Sequence, residues 1–405
     1  MDFNVDIWVK IAAYIGGGIA MGFGAIGAAI GVGYTAAQAN SAISENVECS
    51  STIFKNMLVG QAVAESASIF ALVVAILLLF VNVPNPSLSK AASLLAAGIS
   101  MGFGAIGSGI GSGIPAGNCC LGIARKPEIS GRFTTTMLIG SAVCQTPAIF
   151  AMVIALVLML MDFGSGPLHL TWAAHLGAGL CMGFGALGSG IGSGFPGGQA
   201  CLGIARQPEA SSKLTTNMLI GSAVCQTPTI FAMVVALILM FMNFENAPLH
   251  PTWAALFGAG VSTGFAAIGS GIGGGLTAGA SCEGIARNPE TVGKVTTIML
   301  VGQAVAQTPA IFGLLVSFIL IFKTFPESYT LSAAMALLGA GICMGFGGIG
   351  PGIGNGMTAE SAVRWVARNV DHAGELMRTM LVGQAVSQST AIYAMVISLV
   401  LIFVV

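Results

Sequence analysis

A chain of 405 residues that is 55% hydrophobic carries only 14 basic and 15 acidic side chains, 7% of the total, for a net charge of −1. Soluble domains carry about 25% charged residues, so a soluble enzyme is excluded, and a charge this small offers no basic field to nucleic acid. The 58 glycines follow no Gly-X-Y period, which leaves an integral membrane protein with length for about ten spans of roughly 20 residues and their connections.

The chain begins MDFNVDIWVK, acidic before it turns apolar. It lacks the basic flank of a signal peptide, so the first helix is expected to be permanent. Two markers then recur. GQAVAESASIF at Gly60 returns as GSAVCQTPAIF at Gly140, GSAVCQTPTIF at Gly221, GQAVAQTPAIF at Gly302 and GQAVSQSTAIY at Gly383. MGFGAIGAAIG at Met21 returns at Met101, Met182, Thr263 and Met344 with the same 80- or 81-residue period. Two markers on one period define five units, with expected bounds 1–86, 87–167, 168–248, 249–328 and 329–405.

Each unit reads as a glycine-rich apolar helix, a short polar loop and a second apolar helix. Linkers with Pro or Gly follow at 84–86, 164–167, Pro248 and Pro326. In unit two the first helix is predicted from Leu88 to Arg125, about 57 Å at 1.5 Å per residue. That exceeds a hydrocarbon core of about 30 Å, so the helices should project on the loop side. The expected fold is an all-α membrane protein, ten transmembrane helices as five tandem hairpins.

Eleven basic residues (Lys55, Arg125, Lys126, Arg132, Arg206, Lys213, Arg287, Lys294, Arg364, Arg368, Arg378) lie in or near the mid-hairpin loops, and Lys10, Lys90 and Lys323 lie toward the other side. The positive-inside rule then puts the loops in the cytoplasm and both termini outside. Trp172 and Trp253 fall near the outer ends of their first helices, as belt residues or as ordinary lipid-facing ones. The nine cysteines form no CxxC pair and no Cys/His cluster, and read as small packing residues.

Each interior helical glycine costs about 0.5–1 kcal/mol relative to Ala. Gly107 and Gly111 are four apart, as are Gly109 and Gly113, the spacing that lets helix backbones approach closely in a membrane. Five copies of this face suggest like-against-like packing around an axis, a ring with glycine helices inside and bulkier ones outside. Generic packing in a bundle that is not a ring is the alternative.

The acids sort by place. Asp2 and Asp6 are terminal, and Glu45, Glu48, Glu128, Glu209, Glu290, Asp371 and Glu375 belong to loops. Asp162, Glu245 and Glu327 belong to linkers, while Glu283 and Glu360 precede Arg287 and Arg364 by four residues as helical pairs. Glu65 remains, inside the apolar helix predicted over 57–81. A mid-membrane acid costs about 2.5–3.5 kcal/mol on insertion scales and by default marks an ion path. The other units carry Gln145, Gln226, Gln307 and Gln388 at this position, which keep the shape but hold neither proton nor cation by charge.

A hydroxyl follows in every unit: Ser66, Thr146, Thr227, Thr308 and Ser389. Pro147, Pro228 and Pro309 come next in units two to four and should free the carbonyls of Val143, Val224 and Val305. Carbonyl, hydroxyl and carboxylate are the donors a hard cation takes, although a plain proline kink with an idle Thr fits too.

These motifs resemble the rotor-ring proteolipid, or c subunit, of rotary F-type ATP synthases: glycine-repeat first helices, an Arg-x-Pro loop (ARKPE at Ala124, ARQPE at Ala205, ARNPE at Ala286) and GQAVAES with its intramembrane Glu. The resemblance covers essentially the whole chain, as five fused hairpins in place of one. It implies a rotor ring whose carboxylate is loaded and unloaded against an arginine of the stator, and whose loops hold the central stalk. By position, Glu65 is the ion-binding acid with Ser66 and Val63 in support, and Arg125, Arg206, Arg287 and Arg368 are the stalk contacts. Thr146, Ser389, Ser112 and Asn355 are possible neighbouring ligands.

The first-helix Gln of sodium-binding members is absent, its position reading Val32, Ser112, Ser193, Gly274 and Asn355. Glu45 replaces the loop arginine of unit one. The oxygen-rich set favours Na⁺, with H⁺ the alternative, as the transported ion. No cofactor is expected, and any catalysis belongs to the complex. Expected partners are copies of the chain, single-hairpin proteolipids of the same family, the stator, the stalk and the bilayer, in a bacterial plasma membrane. A V-type-like ATP-driven pump rotor is the second reading, and a ten-helix secondary transporter or a purely structural proteolipid is more remote.

Overall fold

In hydrocarbon a long apolar segment satisfies its backbone only as a helix or closed barrel, and every long segment here is helical. The computed structural model describes residues 5–162, 168–244, 246–327 and 330–404. Asp2, Glu245, the linker 164–167 and the unit boundary at 328–329 lie outside the described residues. The glycine-rich helices are α1 (Val5–Glu45), α3 (Leu88–Arg125), α5 (Leu168–Arg206), α8 (Leu249–Arg287) and α10 (Leu331–Val366). Their partners are α2 (Ser50–Phe80), α4 (Ser130–Leu160), α9 (Val292–Phe322) and α11 (Ala373–Val404). In unit three the partner is split at Gln226 into α6 (Ser211–Cys225) and α7 (Thr227–Phe241).

Among the described residues ten helices are long and apolar enough to cross a membrane. Unit two's first helix runs over the expected Leu88–Arg125, while the helix of Glu65 starts earlier than predicted, at Ser50. The loops are single 3₁₀ turns. Pro127, Pro208 and Pro289 open three of them, where a missing N–H is no loss and the fixed φ suits a helical start. At the opposite end Lys90 donates to the carbonyls of Met159 and Met161 at 2.7 Å, and Lys323 to Ile402 at 2.9 Å. Each cation satisfies carbonyls that a helix end leaves open.

The hairpins stand side by side in chain order in two layers. The glycine helices pack each on the next, and each second helix packs on its own glycine helix and on that of the following unit. A Cβ added at Gly109, Gly190, Gly271 or Gly352 would lie 2.5 Å from backbone of the preceding glycine helix, so those crossings admit no side chain. The two ends of the row are open: nothing lies within 4 Å of such a Cβ at Gly18, Gly22 and Gly33 on α1, or at Gly350 on α10. Phe23, Phe103, Phe184, Phe265 and Phe346 form a continuous ladder, with centroids 4.1 to 4.6 Å apart and ring planes inclined by 29 to 33°. All nine cysteines are free thiols, seven of them buried. Trp172 and Trp253 stack on each other at 5.7 Å.

Candidate ion-carrying site

On α2, Ala64, Ala67 and Ser68 are buried, and Glu65 between them is exposed. Among the described residues its carboxylate has no hydrogen bond or ion pair. Ser68 Oγ donates to its backbone carbonyl at 2.8 Å. One turn earlier Gln61 Nε2 donates to the carbonyl of Val32 at 3.2 Å, the first-helix position whose own side chain brings no oxygen.

The glutamines at the equivalent position all have partners. Gln145 Nε2 donates to the Val63 carbonyl at 3.1 Å and to Ser112 Oγ at 2.5 Å. Gln226 Nε2 reaches the Val143 carbonyl at 3.0 Å, and Gln307 Nε2 the Val224 carbonyl at 2.9 Å. In unit five Asn355 Nδ2 donates both to Gln388 Oε1 at 2.6 Å and to the Val305 carbonyl at 3.3 Å. The carbonyls that Pro147, Pro228 and Pro309 release are thus taken by an amide of the next hairpin, as buried acceptors require.

Within this chain the residues expected around Glu65 are held by other partners. Val63 and Ser66 are three residues apart, with Ser66 Oγ donating to the Val63 carbonyl at 2.7 Å, and that carbonyl also accepts from Gln145. At 100° per residue Glu65 lies well round the helix from Val63, so within one chain the two do not meet. Ser112 serves Gln145 and Asn355 serves Gln388, each within its own unit. Thr146 follows Val143 by three residues on α4. Ser389 Oγ donates to the Val386 carbonyl at 2.7 Å, repeating the pair of Ser66 and Val63 at the far end of the row, where Val386 is 69% exposed.

The loop positions differ in their ion pairing. Glu45 pairs with Arg125 at 3.4 Å across units one and two. Arg287 pairs with Glu283, which also meets Arg364 at 2.9 Å, and Arg364 meets Glu360 at 2.7 Å. Arg206 shares a cleft with Arg125 and Glu283, and Arg368 lies over the Trp365 ring at 4.7 Å. The phenyl ladder and the Gln61 contact were missed from sequence, although a Phe in every copy of the second marker was the signal for the ladder.

Five tandem membrane hairpins, one carrying an unpaired acid where the others carry hydrogen-bonded amides, define a multi-pass proteolipid of fused repeats. The chain belongs to the ATP synthase subunit-C family, which it matches five times, over residues 15–78, 95–158, 176–239, 257–320 and 338–401. It is 34% identical over 200 residues to the K subunit of the A-type ATP synthase of Methanocaldococcus jannaschii, covering 49% of this chain and 84% of that one. It is 52% identical over 71 residues to the chloroplastic ATP synthase c subunit of Ostreococcus tauri, 18% of this chain and 87% of that one. With the ATP synthase c subunit of Petrotoga mobilis it shares 51% identity over 68 residues, 17% and 71% of the two chains. It is therefore an integral, multi-pass membrane protein of the c/K kind from a rotary ATP synthase, and the secondary-transporter reading falls.

Proposed function

We propose that this chain is a rotor-ring subunit that carries Na⁺ across the membrane by loading and unloading Glu65 against a stator arginine, coupled to ATP synthesis or hydrolysis. One observation carries the reading. In units two to four the amide N–H of Gln meets the valine carbonyl of the preceding hairpin directly. Among the described residues no hairpin lies before that of Glu65, and the repeat matches it with Val386 and Ser389 of a neighbouring copy. An ionised carboxylate facing a carbonyl sets acceptor against acceptor, so a bridging cation or an acid proton must lie between them. That need is what makes this position, alone among the five, a carrier.

The carboxylate, the Val386 carbonyl and the Ser389 hydroxyl favour Na⁺ over H⁺, since a proton needs only the carboxyl and one acceptor. Val32 adds no side-chain oxygen, so a water or the Gln61 amide oxygen completes the shell. The loops face the cytoplasm and both termini lie outside, the charge bias being the support. Arg125, Arg206, Arg287 and Arg368 lie on the stalk side.

Glu65→Gln is the test. The ring should assemble with ion transport abolished, and transport at the wild-type rate would overturn the assignment. Loss of four acids in five also favours the second reading, an ATP-driven pump, because few ions then cross per turn.

A further inference from the structure

We propose that the open face of unit one is built to receive unit five of a second copy, so that rings form head to tail from this chain without single-hairpin proteins. The proposal rests on the ring reading above and names the partner that completes the Glu65 site.

The junction between units four and five is the template. Three side chains bond backbone across it: Thr277 Oγ1 to the Gly356 carbonyl at 3.3 Å, Asn288 Nδ2 to Ala367 at 3.4 Å, and Gln384 Nε2 to Gly302 at 3.0 Å. Units two and three break this set with Pro115 and Pro196, Lys126 and Gln207, and Ser141 and Ser222 at the three positions. The complete set of residues recurs at one other place, divided between the two ends of the chain. Unit five supplies Thr358 and Asn369, and unit one supplies Gln61.

Within the chain these three are only partly used. Thr358 Oγ1 bonds its own helix at Gly354 (2.9 Å), and Asn369 has no side-chain hydrogen bond among the described residues. Gln61 Nε2 reaches Val32 alone, whereas Gln384 Nε2 reaches both Asn355 and Gly302. Carried forward one unit, their missing acceptors are the carbonyls of Gly33, Ser44 and Gly383.

Charge and shape agree. Within the chain, arginine follows arginine at the loop position in units two to five. The copy-to-copy junction instead sets Arg368 beside Glu45, which already reaches Arg125 at 3.4 Å on its other side. A hairpin with the Arg-x-Pro loop of units two to four has arginine where Glu45 stands and so forgoes that opposite-charge contact. Phe346, 54% exposed, meets Phe23 and continues the phenyl ladder. One register departs: Ala29 stands where the interior crossings have Gly109, Gly190, Gly271 and Gly352. Its methyl holds the helices further apart at that level than inside the chain.

The full chain is expressed in a membrane that also holds single-hairpin proteolipids of the family, extracted in mild detergent and weighed intact. Rings should weigh whole multiples of 40.7 kDa. Thr358→Val, Asn369→Leu and Gln61→Leu together should cut ring yield at least about tenfold and leave single chains. The same changes at Thr277, Asn288 and Gln384 should spare the rings, because those units are covalently joined. Rings containing a small hairpin protein, or an undiminished yield from the first triple variant, would overturn the proposal. Glu65→Gln rings that assemble but do not transport keep this result separate from the ion assignment.

Discussion

Glu65 and Gln145 have the same reach and differ in that only Gln carries a donor group, the amide NH₂. That donor lets the amide close on a carbonyl, and its absence keeps the carboxylate available. Replacing Gln307, whose Nε2 lies 2.9 Å from the Val224 carbonyl, with Leu strands a buried acceptor. It should cost about 1–3 kcal/mol, read as an earlier midpoint in a denaturing-detergent titration, and an unmoved midpoint would contradict the hydrogen bond. Conversely, Gln145→Glu sets a carboxylate against the Val63 carbonyl and Ser112. It should create a second carbodiimide-reactive site per chain, seen as a second mapped adduct. That Glu65 is unlike its four equivalents was legible in the sequence, since an acid among glutamines needs no coordinates to stand out. Which neighbour supplies its ligands was not legible. Helical period puts Val63 and Ser66 on one face but does not say which hairpin that face meets.

At the scale of the helices, the glycines divide by where they point. Gly190→Ala drives a methyl to 2.5 Å from the Gly107 carbonyl carbon. Overpacking of this kind costs about 1–3 kcal/mol, so the variant chain should unfold earlier in detergent. Gly18→Ala meets nothing within 4 Å in its own chain and should leave the chain's stability unchanged while lowering ring yield, because that face is the outer end of the row. Equal effects of the two variants on single-chain stability would contradict the layered packing. The bounds of unit two's first helix and the proline-opened loops were readable because period, apolar length and proline act locally, while the start of the Glu65 helix at Ser50 was not. The break at Gln226 was not either. The same Gln-Thr-Pro triplet leaves α4 and α9 continuous, and nothing in the structure explains why only unit three divides.

For the whole molecule, the proposed carriage by Glu65 makes one acid in five hairpins set the gearing. A ring of two chains carries two ions per turn and a ring of three carries three, and the family resemblance implies three ATP per turn. One charge crossing 100 mV yields about 2.3 kcal/mol, too little at this ratio to drive synthesis at ordinary potentials. Vesicles holding the complete enzyme with a ring of this chain alone should therefore pump ions at no more than about one per ATP and build a large potential. Net ATP synthesis at 150 mV or so would contradict that gearing. The central claim is that Glu65 is the chain's single ion carrier. Its most direct test is carbodiimide labelling of intact rings at fixed pH, mapped by mass spectrometry with and without Na⁺. The account requires one adduct per chain, at Glu65, forming more slowly as Na⁺ occupies the carboxylate. An intramembrane adduct at any other residue would contradict it, and labelling indifferent to millimolar Na⁺ would make the carried ion a proton.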